Sequence, residues 1–355
     1  RARRLRERYH EELSRVRITH FTSSLISHEF LWNAQGRSGW QLFLARNQWF
    51  QRRAAQAIHS LTTSPSAIVF AHSYAALAIF QAAKIHNYRC VLAQIDPGER
   101  HFALVAESAT HAPEYGPPPP APPPSYLADW RQECALADHI VVNSEWALQS
   151  LAHAGVAASK MSVVPLAYDG DGAVSELHTY PALFTAERPL RLLYVGHVSV
   201  AKGVKALLDS LALLNDAPIE LTVVGERSAQ VPARHLDDRR IRWIGPVSRS
   251  EVMSHYRAAD ALIFPSLSDG FGMAQVEARG WRLPIVASRS CGQVVDDGVN
   301  GVVLAEVTPE AIAASIARLL ADPQLLAEFS RNSVSASSGG LDALGESLLA
   351  LEAAG

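Results

Sequence analysis

The sequence predicts an α/β protein of two domains, each built on a doubly wound parallel sheet. Three observations predict it. The chain has 355 residues, and at roughly 100–200 residues per domain that length suits two cores. Short apolar, β-branched runs recur along it, each followed by a longer segment with helical spacing. The rhythm stops once, at 168–189, and then resumes.

The first series of strand-like runs is 16–23, 67–73, 90–95, 139–144 and 161–167. The second is 190–196, 219–225, 241–247, 261–266, 284–288 and 301–304. Unbroken apolar runs such as Ala67-Ile68-Val69-Phe70-Ala71 suit strands covered on both faces. Between them, Val204, Leu207, Leu208, Leu211 and Leu214 trace one face of a helix. Strand and helix in alternation make βαβ units and Rossmann-like parallel sheets.

The pause at 168–189 holds Asp169-Gly170-Asp171-Gly172 and two prolines, and reads as a linker. The domains are therefore placed at 1–175 and 176–335. Segment 116–124, with seven prolines in nine residues, can be neither helix nor central strand and reads as an exposed polyproline loop. Residues 336–355 form a Ser/Gly hinge and an apolar helix able to pack back on the first domain.

Composition narrows the function. Apolar residues make up 48% and charged residues 19%, as in a globular protein. With 32 Lys and Arg against 35 Asp and Glu, the net charge of −3 offers no basic excess for nucleic acid. No apolar run reaches the ~18 residues that would cross a membrane. Cys90, Cys134 and Cys291 make no metal spacing and fit reduced thiols in the cytoplasm. No metal site is expected. Five arginines open the chain without an apolar stretch behind them, so the start at Arg1 is read as truncated or processed rather than as a signal peptide.

The most informative stretch runs from Phe264 to Glu277. It reads as a strand, a glycine loop (Asp269-Gly270-Phe271-Gly272) and the start of a helix at Met273. In a parallel sheet, the carboxyl end of a strand is where ligands bind. Two glycines let the backbone approach, and the first helical N–H groups favour phosphate. Glu277, eight residues after Asp269, suits a vicinal diol such as a ribose. Alone, Asp269-Gly270 would be a turn and Glu277 a solvated residue; together they indicate a site.

A second stretch, Tyr194-Val195-Gly196-His197 to Lys202-Gly203, leads from the first strand of the second domain to its first helix. It carries Lys202, with Lys205 two residues beyond its end, and these are two of only four lysines in the chain. A lysine there can neutralise a departing diphosphate. Weaker signals are Asp169-Gly170-Asp171, read as turn chemistry, and His72 at the end of a strand. Asp96, Glu99 and His101 are read evenly as cleft or as polar loop. Gly-x-Ser-x-Gly, P-loop and Gly-x-Gly-x-x-Gly motifs are absent.

These motifs resemble those of the GT-B glycosyltransferases, and among them the large retaining family 4 (glycosyl transferases group 1). The resemblance runs over about 137–322. Gly196 to Lys202-Gly203 is similar to its glycine–basic segment, and Pro265-Ser266 through Glu277-Ala278 to its Glu-x7-Glu signature. Leu283-Pro284-Ile285-Val286-Ala287-Ser288, Asp297-Gly298-Val299-Asn300-Gly301, 137–145 and Val163-Val164-Pro165 resemble further segments of it.

The resemblance implies two domains facing a cleft that closes on a nucleotide diphosphate-sugar. It implies that Glu277 holds the ribose, that Gly196, His197 and the Gly270, Phe271, Gly272 and Met273 backbone approach the phosphates, and that Lys202 neutralises them. Asp269 would meet the sugar hydroxyls and His72 the reacting sugar, making His72, Lys202 and Asp269 the catalytic set. The reaction implied is metal-independent, cofactor-free sugar transfer with retention of configuration. Its acceptor is a lipid-linked glycan, glycan, protein or small metabolite, in a cytoplasmic protein with or without peripheral membrane contact. The alternatives are a catalytically impaired nucleotide-sugar-binding module and another GT-B activity such as epimerisation.

The sequence departs from the pattern at Asp269, where Glu is usual, at His197 in place of Arg, and at Ala201 in place of a basic residue. The family's first strand and glycine loop have no match, so the first domain is expected to be truncated.

Overall fold

The computed structural model describes residues 14–60, 67–168, 178–333 and 341–353. The arginine-rich opening, Asp169-Gly170-Asp171 and the proposed hinge at 336–340 lie outside the described residues.

The first domain carries helices α1 (Thr22–Ala34) and α2 (Gly39–His59) ahead of a four-stranded parallel sheet. Its strands β1 (Ile68–His72), β2 (Arg89–Gln94), β3 (His139–Val142) and β4 (Met161–Val163) lie side by side in sequence order. Between them run α3 (Leu77–Ile85), α4 (Glu99–Thr110), α5 (Pro124–Leu136) and α6 (Glu145–His153). Alternation decides the layers: Ala71, Cys90, Leu92, Ile140 and Val142 face a core closed by Phe80, Trp130 and Leu151 of the helices.

The second domain holds a six-stranded parallel sheet. Its elements are β5 (Leu190–Val195), α7 (Val204–Ala212), β6 (Ile219–Val224), α8 (Ala233–Leu236), β7 (Ile241–Gly245) and α9 (Arg249–Ala258). They continue as β8 (Ala261–Phe264), α10 (Met273–Gly280), β9 (Ile285–Ser288), β10 (Gly301–Leu304), α11 (Pro309–Ala321) and α12 (Pro323–Asn332). The strand order β10-β9-β8-β5-β6-β7 changes direction beside β5, the switch point at which a parallel sheet opens a crevice. Helix α13 (Leu341–Ala353) lays Leu344 and Leu348 on Val91 and Val141 of the first sheet and on Val164 just past β4.

Segment 16–23 is not a strand. Residues 17–21 are irregular and α1 begins at Thr22. The alternation of Val16 and Ile18 imitates a strand, but the aromatic face of α1 decides otherwise. His28 and Trp32, one turn apart, meet Trp49 of α2 with ring centroids 5.6 and 6.5 Å away. Pro124, placed in the polyproline loop, is instead the first residue of α5, where its missing N–H costs nothing.

The two sheet entrances of the second domain are tied by one buried carboxylate. Asp260 accepts two hydrogen bonds from Arg188, at 2.6 and 2.7 Å, and one from the Arg191 amide at 2.8 Å. Removing one partner of a buried pair strands a charge. Arg188 is about a quarter exposed, so Arg188→Ala is expected to cost about 2–3 kcal/mol, below the full buried-pair loss. A melting curve would show a drop of roughly 5–10 °C; an unchanged melting temperature would refute it.

Candidate active site

Loops at the carboxyl ends of both sheets enclose one cavity of about 420 Å³. From the second domain come Tyr194 and Val195 at the end of β5, Gly196, His197 and Lys202 beyond it, Phe264 at the end of β8, and Asp269, Phe271, Gly272, Met273, Ala274 and Glu277 beyond that. From the first come Ile95 after β2, Asn143 after β3 and Leu166 after β4.

Local chemistry places each group. Val200–Lys202 forms a single 3₁₀ turn that ends at Gly203, whose φ of +70° is left-handed. A Cβ on Gly203 would sit 1.8 Å from the Pro265 carbonyl oxygen. The Leu267 amide donates to the Ala201 carbonyl at 2.9 Å. The loop after β5 is thus clamped on the loop after β8, which brings Lys202 into an ion pair with Asp269. Gly203→Ala meets both the strained φ and the backbone clash, so it should cost at least about 2–3 kcal/mol. Denaturant titration reads this directly, and wild-type stability would contradict the clamp.

Gly272 has φ +88°, and a Cβ on it would press to 2.6 Å from the Phe264 ring. It ends the loop so that α10 starts with its free N–H groups beside the cavity. Those amides and the helix dipole favour an anion there. Glu277, one turn into α10, accepts a 2.8 Å hydrogen bond from the Tyr256 hydroxyl. Burial raises its carboxyl above the ordinary glutamate range, and the Tyr256 bond pulls the other way.

Lys202, Asp269, Gly196, His197, Phe271, Gly272, Met273 and Glu277 therefore line a single cavity. Two expected residues stand elsewhere. Gly270 is outside the lining because it is the contact between the domains. Its carbonyl accepts from Ser144 Oγ at 2.6 Å, and a Cβ would lie 2.2 Å from the Ile95 carbonyl oxygen. His72 is exposed at the end of β1, the edge strand, whereas the cavity wall comes from β2, β3 and β4.

The three residues read evenly now separate. His101 of α4 places Nδ1 3.1 Å from Ser268 Oγ, next to Asp269, and burial holds its ring below the usual histidine range. Asp96 accepts from Tyr74 Oη (2.6 Å), Gln94 Nε2 (2.9 Å) and the Gly98 amide (2.8 Å), and so fastens the loop before α4. Glu99 pairs with Arg131 at 2.7 Å on the outside. Sequence reasoning missed Ile95, Asn143 and Leu166 of the cavity wall, and Tyr256, which holds Glu277. For Asn143 a signal existed: it lies at the end of a strand that was already recognised.

Against this geometry, comparison with known proteins is specific. Residues 189–322 match the family model described as glycosyl transferases group 1. A D-inositol 3-phosphate glycosyltransferase of Geodermatophilus obscurus is 32% identical over 222 residues, 56% of this chain and 49% of that protein. One from Corynebacterium glutamicum is 29% identical over 214 residues, 53% of this chain and 50% of its own length. The chain spans about half the length of these curated relatives.

Among solved structures, Anabaena Alr3699/HepE in complex with UDP superposes with TM-score 0.64 at 18% identity, covering 86% of this chain and 82% of its own. Sucrose-phosphate synthase from Thermosynechococcus elongatus gives 0.65 at 19%, covering 87% and 79%. The fold is GT-B. Among the described residues no helix is long and apolar enough to cross a membrane.

Proposed function

We propose that the chain is a glycosyltransferase that takes a sugar from a nucleotide diphosphate-sugar, with the donor in the Lys202–Glu277 cavity. The observation that carries this is the convergence, on one cavity, of a lysine, a helix amino terminus and a partly buried carboxylate. They match the parts of the donor in order: cation and N–H groups for the diphosphate, Glu277 for the ribose hydroxyls. The group 1 match over 189–322 supports the same reading.

As the bond between anomeric carbon and phosphate oxygen breaks, negative charge grows on the leaving diphosphate. Lys202 and the first amides of α10 lower that cost without a bound metal. Asp269 holds the Lys202 ammonium in place and offers its carboxylate to sugar hydroxyls. Retention of configuration and membership of family 4 belong to this proposal, supported by the Asp269 to Glu277 spacing. Uridine is the first base to test, because the Anabaena neighbour was solved with UDP.

One observation favours a second reading, a donor-binding module of low activity. The first domain's share of the wall is Ile95, Asn143 and Leu166, which carry no titratable group, and His72 is not among them. Incubation with a panel of nucleotide-sugars and sugar, lipid and polyol acceptors decides. Transfer to any acceptor supports the enzyme; nucleotide-dependent stabilisation with neither transfer nor donor hydrolysis supports the module.

A further inference from the structure

A second cavity, of about 530 Å³, lies in the groove between α1 and α2, away from the donor cavity. It is lined by His28 and Trp32 of α1, by Arg37 of the connecting turn, and by Trp49, Arg52 and Arg53 of α2, among others. The sequence is unusual here. Residues 14–60 hold six arginines and one carboxylate, Glu29, in a chain of net charge −3. Glu29 is taken up by Arg46 at 2.6 Å, which is not part of the lining.

Among the described residues, Arg37 and Arg52 have no carboxylate partner, and Arg53 reaches only Ser24 Oγ, at 3.3 Å. The Trp49 indole N–H is buried without an acceptor. His28 uses Nδ1 on the Ser24 carbonyl, at 2.7 Å, which leaves Nε2 over. Like charges gathered in one groove repel and would drift apart if nothing repaid them. A packed floor of Trp32 and Trp49 holds them together instead. Guanidinium forks and an indole N–H are donors without acceptors, the complement of a tetrahedral oxyanion.

We propose that this groove is a phosphate-binding site. Its ligand is a phosphate ester, free in solution or carried as a lipid headgroup. The outer face of α1 gives the second source a physical basis, since Ile26 and Phe30 stand 53% and 73% exposed beside the groove.

The test is equilibrium binding of the full chain to two probes. One is glycerol 3-phosphate, followed by titration calorimetry; the other is vesicles of phosphatidylglycerol and phosphatidylcholine, followed by co-sedimentation. Binding to at least one probe is expected, and which one identifies the source. At about fivefold per arginine, the triple variant R37A/R52A/R53A should bind on the order of 100-fold more weakly. The control R239A/R318A/R331A removes the same charge from exposed positions on the second domain and should bind as wild type.

Binding to neither probe overturns the proposal. So does equal loss in both triple variants, which would mean general charge attraction, or equal binding to vesicles of phosphatidylcholine alone. Should the triple variant melt early, Trp49→Phe reads the same question, because it removes the indole donor and keeps an aromatic ring. Unchanged affinity in that variant overturns the site.

Discussion

Lys202→Ala should lower kcat/KM with a nucleotide-sugar donor by about 10²–10³, the usual loss when one fixed donor is withdrawn from a developing oxyanion. The effect should fall mainly on kcat, because the diphosphate gains charge only as its bond to carbon breaks. Stability should barely change. The Lys202–Asp269 pair is partly open to solvent, with about a quarter of the lysine side chain exposed, and such pairs contribute at most about 1 kcal/mol. Lys202→Arg should recover part of the rate, since charge returns but the compact ammonium does not. Steady-state kinetics beside a melting curve separates the two effects. A variant with wild-type kcat/KM removes Lys202 from the chemistry.

Glu277 should show the larger effect on donor binding. An ionised carboxylate contributes about 1.5–3 kcal/mol per hydrogen bond, so losing a pair from a ribose should weaken donor binding by about 10²–10⁴. Glu277→Gln is the cleaner variant, because its amide oxygen can still accept from Tyr256. It should retain the wild-type melting temperature while calorimetry records the lost affinity. The pH dependence has a definite sign. Burial raises the Glu277 carboxyl, so the acceptor form is complete well above that raised value and is lost as pH falls through it. Donor affinity should therefore decline on acidification sooner than an ordinary glutamate would allow, and the Gln variant should lack that limb. Affinity that rises on acidification would contradict the assignment.

Much of the second domain was legible because its information is local. Runs such as Leu192-Leu193-Tyr194-Val195 and Ala261-Leu262-Ile263-Phe264 are short, apolar on both faces and bounded by turn residues, which suits a covered parallel strand. Lys202, Asp269 and Glu277 were legible for a related reason: each sits on a loop or helix whose glycines announce a backbone that side chains would obstruct. The first domain was harder. Val16 and Ile18 carry the period of a strand, and the contest is settled by Trp32 meeting Trp49 across two helices, a contact no local pattern records.

His72 shows a limit of another kind. It does end a strand, as its sequence context predicts, yet the order of strands in the sheet decides whether a strand end reaches the cavity. Strand β1 lies at the edge, three places from β4. Gly270 likewise was expected to admit a ligand and instead admits the Ile95 carbonyl of the other domain. Ile95, Asn143 and Leu166 join the cavity wall only through the way the two sheets face each other.

The most direct measurement is calorimetric titration of the chain with uridine, guanosine and adenosine diphosphates, each against the matching monophosphate. Saturable binding of at least one diphosphate is expected, with weaker binding of its monophosphate and loss of both in the double variant Lys202→Ala, Glu277→Gln. Diphosphates that fail to bind, or that bind the double variant as they bind the wild type, would contradict a donor site in this cavity.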